Sequence, residues 1–120
     1  MALVGVPFRP HGRDPVIGLD CLGLVICAFQ LRNVEVPRYR LTDGDWDRVQ
    51  RGLAPWFVQF RERRQGDLVV FRLPRCFHFG VLAERHLVHA DLTLGQVVAR
   101  PLPANLGREA RYFRIREVMI

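Results

Sequence analysis

Gly18-Leu19-Asp20-Cys21-Leu22-Gly23-Leu24-Val25-Ile26-Cys27-Ala28-Phe29-Gln30-Leu31 decides the fold. Leu22, Leu24, Val25, Ile26, Ala28 and Phe29 leave almost no polar face over residues 21–31, and a helix that is apolar all round belongs in the middle of a domain. Asp20 is a good N-cap, because its short carboxylate accepts hydrogen bonds from first-turn N–H groups that have no partner inside the helix. The spacing therefore predicts a buried helix opening at Cys21. Upstream, Gly5-Val6-Pro7-Phe8-Arg9-Pro10-His11-Gly12-Arg13-Asp14-Pro15-Val16-Ile17-Gly18 carries three prolines and three glycines and reads as an ordered loop leading into that helix.

Downstream the chain first connects and then changes period. Residues 32–40, with Pro37, form a connection, and Thr42, Asp43 and Asp45 offer caps for a short amphipathic helix over residues 45–53 that Pro55 closes. Residues 56–61 suit a strand or a continued helix equally, since periodicity does not separate the two in so short a run. From Gly66 onward, β-type runs at 67–73, 77–83, 86–91, 96–101 and 112–118 are divided by turn residues such as Pro74-Arg75, Glu84-Arg85 and Leu94-Gly95. Helices first and strands after them specify an α+β domain, with a buried N-terminal helix packed on an antiparallel β-meander of about five strands. Residues 1–120 are expected to form one domain, without repeats or low-complexity segments.

Composition bounds the function classes. Apolar residues are 49% and charged residues 25% of the 120, the ordinary balance of a chain that folds. The run from Leu22 to Leu31 is far short of the ~20 apolar residues a membrane span needs, so no membrane span is expected. Residues 1–8 lack the basic start and small-residue cleavage site of a secretory leader. The net charge of +6 comes from arginines scattered along the chain and favours anionic partners in general. With no RNP-like aromatic pattern, no Cys/His finger and no basic helix, nucleic acid is not the expected partner. Three cysteines, Cys21, Cys27 and Cys76, cannot all pair, and no Cys-x-x-Cys occurs, so at least one thiol stays free.

One of those thiols has the context of a nucleophile. A thiol attacks as thiolate, and the unpaired N–H groups and positive dipole end at a helix start favour the anion. Cys21 directly follows the proposed cap, and the same N–H groups suit an oxyanion forming on an attacked carbonyl. Cys27 lacks this context and is assigned to the core. The base comes from elsewhere in the chain, and His78 is the best candidate. A period of two puts His78, Gly80 and Leu82 on one face, where Gly80 leaves room for the helix to approach. On the next strand His89 lies where it can bond the far nitrogen of His78 and fix its tautomer and orientation. His86 and His89 fall on opposite faces of a strand, which argues against a shared metal. Cys76, two residues before His78, could join a Cys/His zinc set or pair with Cys21, but no metal and no cofactor are expected.

Gly5-Val6-Pro7-Phe8-Arg9, Gly18-Leu19-Asp20-Cys21-Leu22-Gly23-Leu24-Val25, Gly66-Asp67-Leu68-Val69-Val70-Phe71, His78-Phe79-Gly80-Val81-Leu82 and His89-Ala90 together resemble, in order and spacing, the motif series of the NlpC-type cell-wall peptidases. The resemblance implies a papain-like cysteine endopeptidase that cuts peptidoglycan stem peptides, commonly after D-γ-glutamate. It implies Cys21 as nucleophile, His78 as base, His89 as the orienting residue and Asp20 as the acidic residue before the nucleophile. Phe8 stands where such enzymes usually carry Tyr, so a hydroxyl of the oxyanion region is missing, and Arg9 and His11 are the nearby residues that could replace it. Leu22 stands in place of the common Ser. The compact chain is also similar to stand-alone peptidases of phage tails and gene transfer particles, which implies tail proteins as partners, manufacture in the cytoplasm and action in the wall or periplasm. The rival expectations are an inactive tail or wall module on the same scaffold and a small Cys/His metal-binding protein.

Overall fold

Alternating apolar residues in the second half of the chain become consecutive antiparallel strands. The computed structural model describes residues 3–31, 46–72, 77–102 and 110–116. Strands β1 (Arg13–Asp14) and β2 (Gly18–Leu19) precede helices α1 (Cys21–Ala28) and α2 (Trp46–Leu53). Strands β3 (Phe57–Phe60), β4 (Leu68–Arg72), β5 (Phe77–Ala83), β6 (His86–Asp91), β7 (Gln96–Pro101) and β8 (Ala110–Ile115) follow. The architecture is α+β.

The sheet departs from a simple meander. Strands β4 to β7 are sequential neighbours, but β8 returns to pair with β4 and is flanked on its other side by β3, giving the order β3-β8-β4-β5-β6-β7. Six strands thus replace the expected five, because residues 57–60 are a strand and not a continuation of α2. The expected 112–118 run begins earlier, at Ala110, and its described part ends at Ile115. Glu84 and Arg85 form the two-residue β5–β6 turn with φ of 47° and 67°, the left-handed geometry that matches strand twist in tight hairpins. At the β6–β7 turn the Asp91 carboxylate accepts from the Leu94 N–H at 2.9 Å, and Gly95 takes φ 72°.

The helix α1 is apolar all round because it meets two hydrophobic clusters. Val25 joins Trp46, Val49, Phe57, Leu68, Val70, Phe77, Phe79 and Phe113, with Cys21, Leu22 and Phe29 packed against them. Leu24 joins Val88, Ala90 and Val97, against which Val6 and Phe8 pack. The helix ends at Ala28 and not Leu31: Gln30 turns left-handed at φ 53°, and the Gln30 and Leu31 N–H groups reach back to the Cys27 and Ile26 carbonyls. That is a Schellman closure made without the usual glycine.

Two other expectations are corrected. The Gly/Pro loop contains the β1–β2 ribbon, which docks so closely on α1 that a side chain at Gly23 would overlap the Gly12 carbonyl. The space beside Gly80 is filled by Leu87 of β6, whose side chain supplies the nearest atoms, and not by the helix. The Arg32–Arg40 connection, the caps at Thr42, Asp43 and Asp45, the Pro74-Arg75 turn and Cys76 lie outside the described residues. No helix among the described residues is long and apolar enough to cross a membrane.

Candidate active site

Asp20 organises the start of α1. Its Oδ1 accepts from the Gly23 N–H at 2.8 Å, the predicted cap, and Oδ2 accepts from the His11 N–H at 3.0 Å. Arg13 closes the arrangement with Nη1 2.6 Å from Oδ1 while also donating to the Gly12 carbonyl at 2.8 Å. Two chain segments, the loop at His11 and Arg13 and the first turn of α1, therefore converge on one carboxylate, which fixes the residue after it, Cys21.

The Cys21 thiol faces competing influences. Burial, then the negative charge of Asp20, push its pKa up from 9.0 to about 11, while the backbone N–H groups of Phe79, Leu22 and Cys21 pull the other way. The Phe79 contact is informative about position, since it puts the sulfur against β5 at the residue next to His78. Pairing of β5 with β6 covers only Val81, Leu82 and Ala83 on β5, so His78 and Phe79 lie beyond the last paired position on that side. The helix start meets the sheet at this gap. Cys27, assigned to the core by sequence, is half-buried instead, with its thiol 3.6 Å from the Arg13 carbonyl.

His78 and His89 come together across the same gap. His78 Nε2 and His89 Nδ1 are 3.0 Å apart, with the rings edge to face at 86°. Burial, followed by the neighbouring His89, lowers the His78 pKa from 6.5 to about 4, and burial lowers that of His89 as well. The far side of His89 is not open: Arg100 Nε lies 3.1 Å from His89 Nε2, and Arg100 Nη2 lies 2.6 Å from Asp91 Oδ2. Asp91 and Arg100 were not singled out from sequence. Their signal was available in the hairpin, because the register pairing His89 with Val98 puts Arg100 on the same face, one diagonal away.

The remaining residues occupy the approach to the helix start. Phe8 packs its ring against the Leu24 cluster, and its N–H donates to the Gly95 carbonyl at 2.8 Å. It presents no hydroxyl. Arg9 is exposed, with its N–H on the Leu19 carbonyl, and His11 is exposed in a left-handed backbone conformation at φ 58°. Arg9, His11 and Arg13 line an open cavity of about 530 Å³ beside the ribbon. Among the described residues no group of three His, Cys, Asp or Glu side chains is arranged to hold a metal ion.

Chemically, the set combines a thiol at a helix start, N–H groups directed at its sulfur, and an imidazole whose Nε2 is engaged by a second imidazole. Protonation at rest is neutral on both sides, given a thiol near 11 and an imidazole near 4. No curated protein and no solved structure matches the chain. The sequence model of the NlpC/P60 family matches residues 5–116, a span that contains Asp20, Cys21, His78 and His89. With the match covering nearly the whole chain, the protein belongs to the NlpC/P60 family, whose members are typically cysteine peptidases acting on peptidoglycan.

Proposed function

We propose that the protein is a cysteine endopeptidase that hydrolyses peptidoglycan stem peptides through an acyl-enzyme on Cys21, with His78 as base and His89 as the residue that orients it. The observation that carries the reading is the 3.0 Å contact between His78 Nε2 and His89 Nδ1, made beside a sulfur that sits against the Phe79 amide. In the proposed reaction the thiol proton passes to His78 as sulfur attacks the peptide carbonyl, and the N–H groups at the helix start hold the oxyanion. His78 then protonates the leaving amine, the C–N bond breaks, and water activated by His78 releases the acyl group as a carboxylic acid. Phe8 supplies no hydroxyl to the oxyanion, so the helix-start amides carry that load alone or with Arg9 and His11.

Digestion of purified peptidoglycan, followed by mass analysis of the soluble fragments, tests the assignment. Wild type is expected to release stem-peptide fragments that Cys21→Ala and His78→Ala do not. Fragment profiles identical for wild type and Cys21→Ala would remove the hydrolase reading for that substrate. Carriage on a phage-like tail particle belongs to the same proposal and rests only on the sequence likeness. Purified particles lacking the chain would remove it.

A further inference from the structure

A guanidinium only donates hydrogen bonds, because its N–H groups stay protonated in a protein. Arg100 directs Nε at His89 Nε2 over 3.1 Å and Nη2 at the Asp91 carboxylate over 2.6 Å. His89 Nε2 is therefore an acceptor, and the ring proton of His89 sits on Nδ1. That Nδ1 lies 3.0 Å from His78 Nε2, so it donates there and His78 Nε2 accepts. A neutral His78 then carries its own proton on Nδ1, the ring nitrogen left to exchange with Cys21. A base needs a lone pair where the proton arrives, and in this arrangement His78 has none to offer. Forming the His78 imidazolium would also set N–H against N–H across the 3.0 Å contact.

We propose that Arg100 is a positioning residue that latches the His78–His89 pair in the tautomer that refuses the Cys21 proton, and that the pair becomes competent when the guanidinium leaves His89. The inference rests on the proposed roles of Cys21 and His78. With Arg100 gone, His89 carries its proton on Nε2 and accepts at Nδ1; His78 donates from Nε2 and presents a lone pair at Nδ1. Departure is sterically open, since the Arg100 side chain is 53% accessible and stands on β7. Among the described residues, the charged groups acting on the pair are Asp91 from β6 itself and Arg100 from β7, and the Arg100 charge also opposes protonation of His89.

Long-range ¹H–¹⁵N spectra of ¹⁵N-labelled protein report which nitrogen of each ring is protonated. Wild type at pH 7.5 is expected to show Nδ1–H at both His78 and His89. Arg100→Leu is expected to move both to Nε2–H and to raise the rate of Cys21 alkylation by iodoacetamide about tenfold, one unit of proton affinity at the base. Nε2–H on either ring of wild type, unchanged tautomers in the variant, or shifted tautomers without faster alkylation would each overturn the latch. Because the wild-type spectrum alone tests the tautomers, a poorly folding variant leaves the question decidable. Failure to digest peptidoglycan would bear on the proposed function and not on these spectra.

Discussion

His78 is a neutral imidazole by virtue of where it sits, and that has a consequence for stability. Its folded pKa of about 4 lies below the unfolded value of 6.5, so the unfolded chain binds the proton first as pH falls. Folded protein therefore loses stability between about pH 6.5 and 4 and regains it on the way up. A displacement of that size corresponds to about 3 kcal/mol, with His89 displaced in the same direction. Urea unfolding of wild type and His78→Gln over this range is expected to show a steeper acid loss in wild type; parallel curves would mean that His78 titrates normally. At this scale the sequence was legible for placement: Cys21 opens α1 behind its cap, and His89 lies beside His78 on the next strand, as the local pattern predicts. It was least legible for Arg13 and Arg100, two of eighteen arginines, because what distinguishes them is the partner each finds in space.

The helix α1 depends on one carboxylate for two opposed effects. Asp20 caps the first turn through Gly23 and ties down the His11 amide, which stabilises the helix start, yet its charge raises the pKa of the adjacent Cys21. Substitution separates the two. Asp20→Asn keeps one oxygen for the Gly23 N–H and removes the charge, so Cys21 alkylation at fixed pH is expected to speed up with the helix cap retained, while the His11 N–H loses its acceptor and Arg13 its counter-charge. Asp20→Ala removes both the charge and the cap, costing about 1–2 kcal/mol in stability, and leaves Arg13 without its partner. Equal alkylation rates in wild type and Asp20→Asn would show that the carboxylate charge does not reach the sulfur. The boundaries of β5, β6 and β7 agree with the sequence reading to the residue, since alternation and tight turns are both local signals. The β1–β2 ribbon was hidden because a strand of two residues has no period to detect, and the end of α1 because Gln30 closes it where glycine is the expected mark.

Strand order is a property of the whole molecule and has no signature within any one strand, which is why a meander was expected where β8 inserts between β3 and β4. One ion pair fastens that insertion. Asp67, 1% exposed just before β4, receives Arg114 of β8 at 2.8 Å through Nε and 3.0 Å through Nη2, and also accepts from the Arg64 N–H at 2.7 Å. The Arg114 guanidinium meanwhile lies 3.9 Å over the Phe60 ring of β3, so a single side chain reaches β3 on one side and the residue leading into β4 on the other. Removing one member of such a pair leaves a buried carboxylate without its counter-charge, whereas removing both charges leaves no such debt. Arg114→Met is therefore expected to lower Tm by about 5 °C or more, while Asp67→Asn/Arg114→Met, which keeps an acceptor for the Arg64 amide, recovers part of that loss. Thermal unfolding followed by circular dichroism decides between the alternatives. A double variant no more stable than Arg114→Met would mean that the carboxylate is satisfied without its arginine, and that packing alone holds β8 in the middle of the sheet.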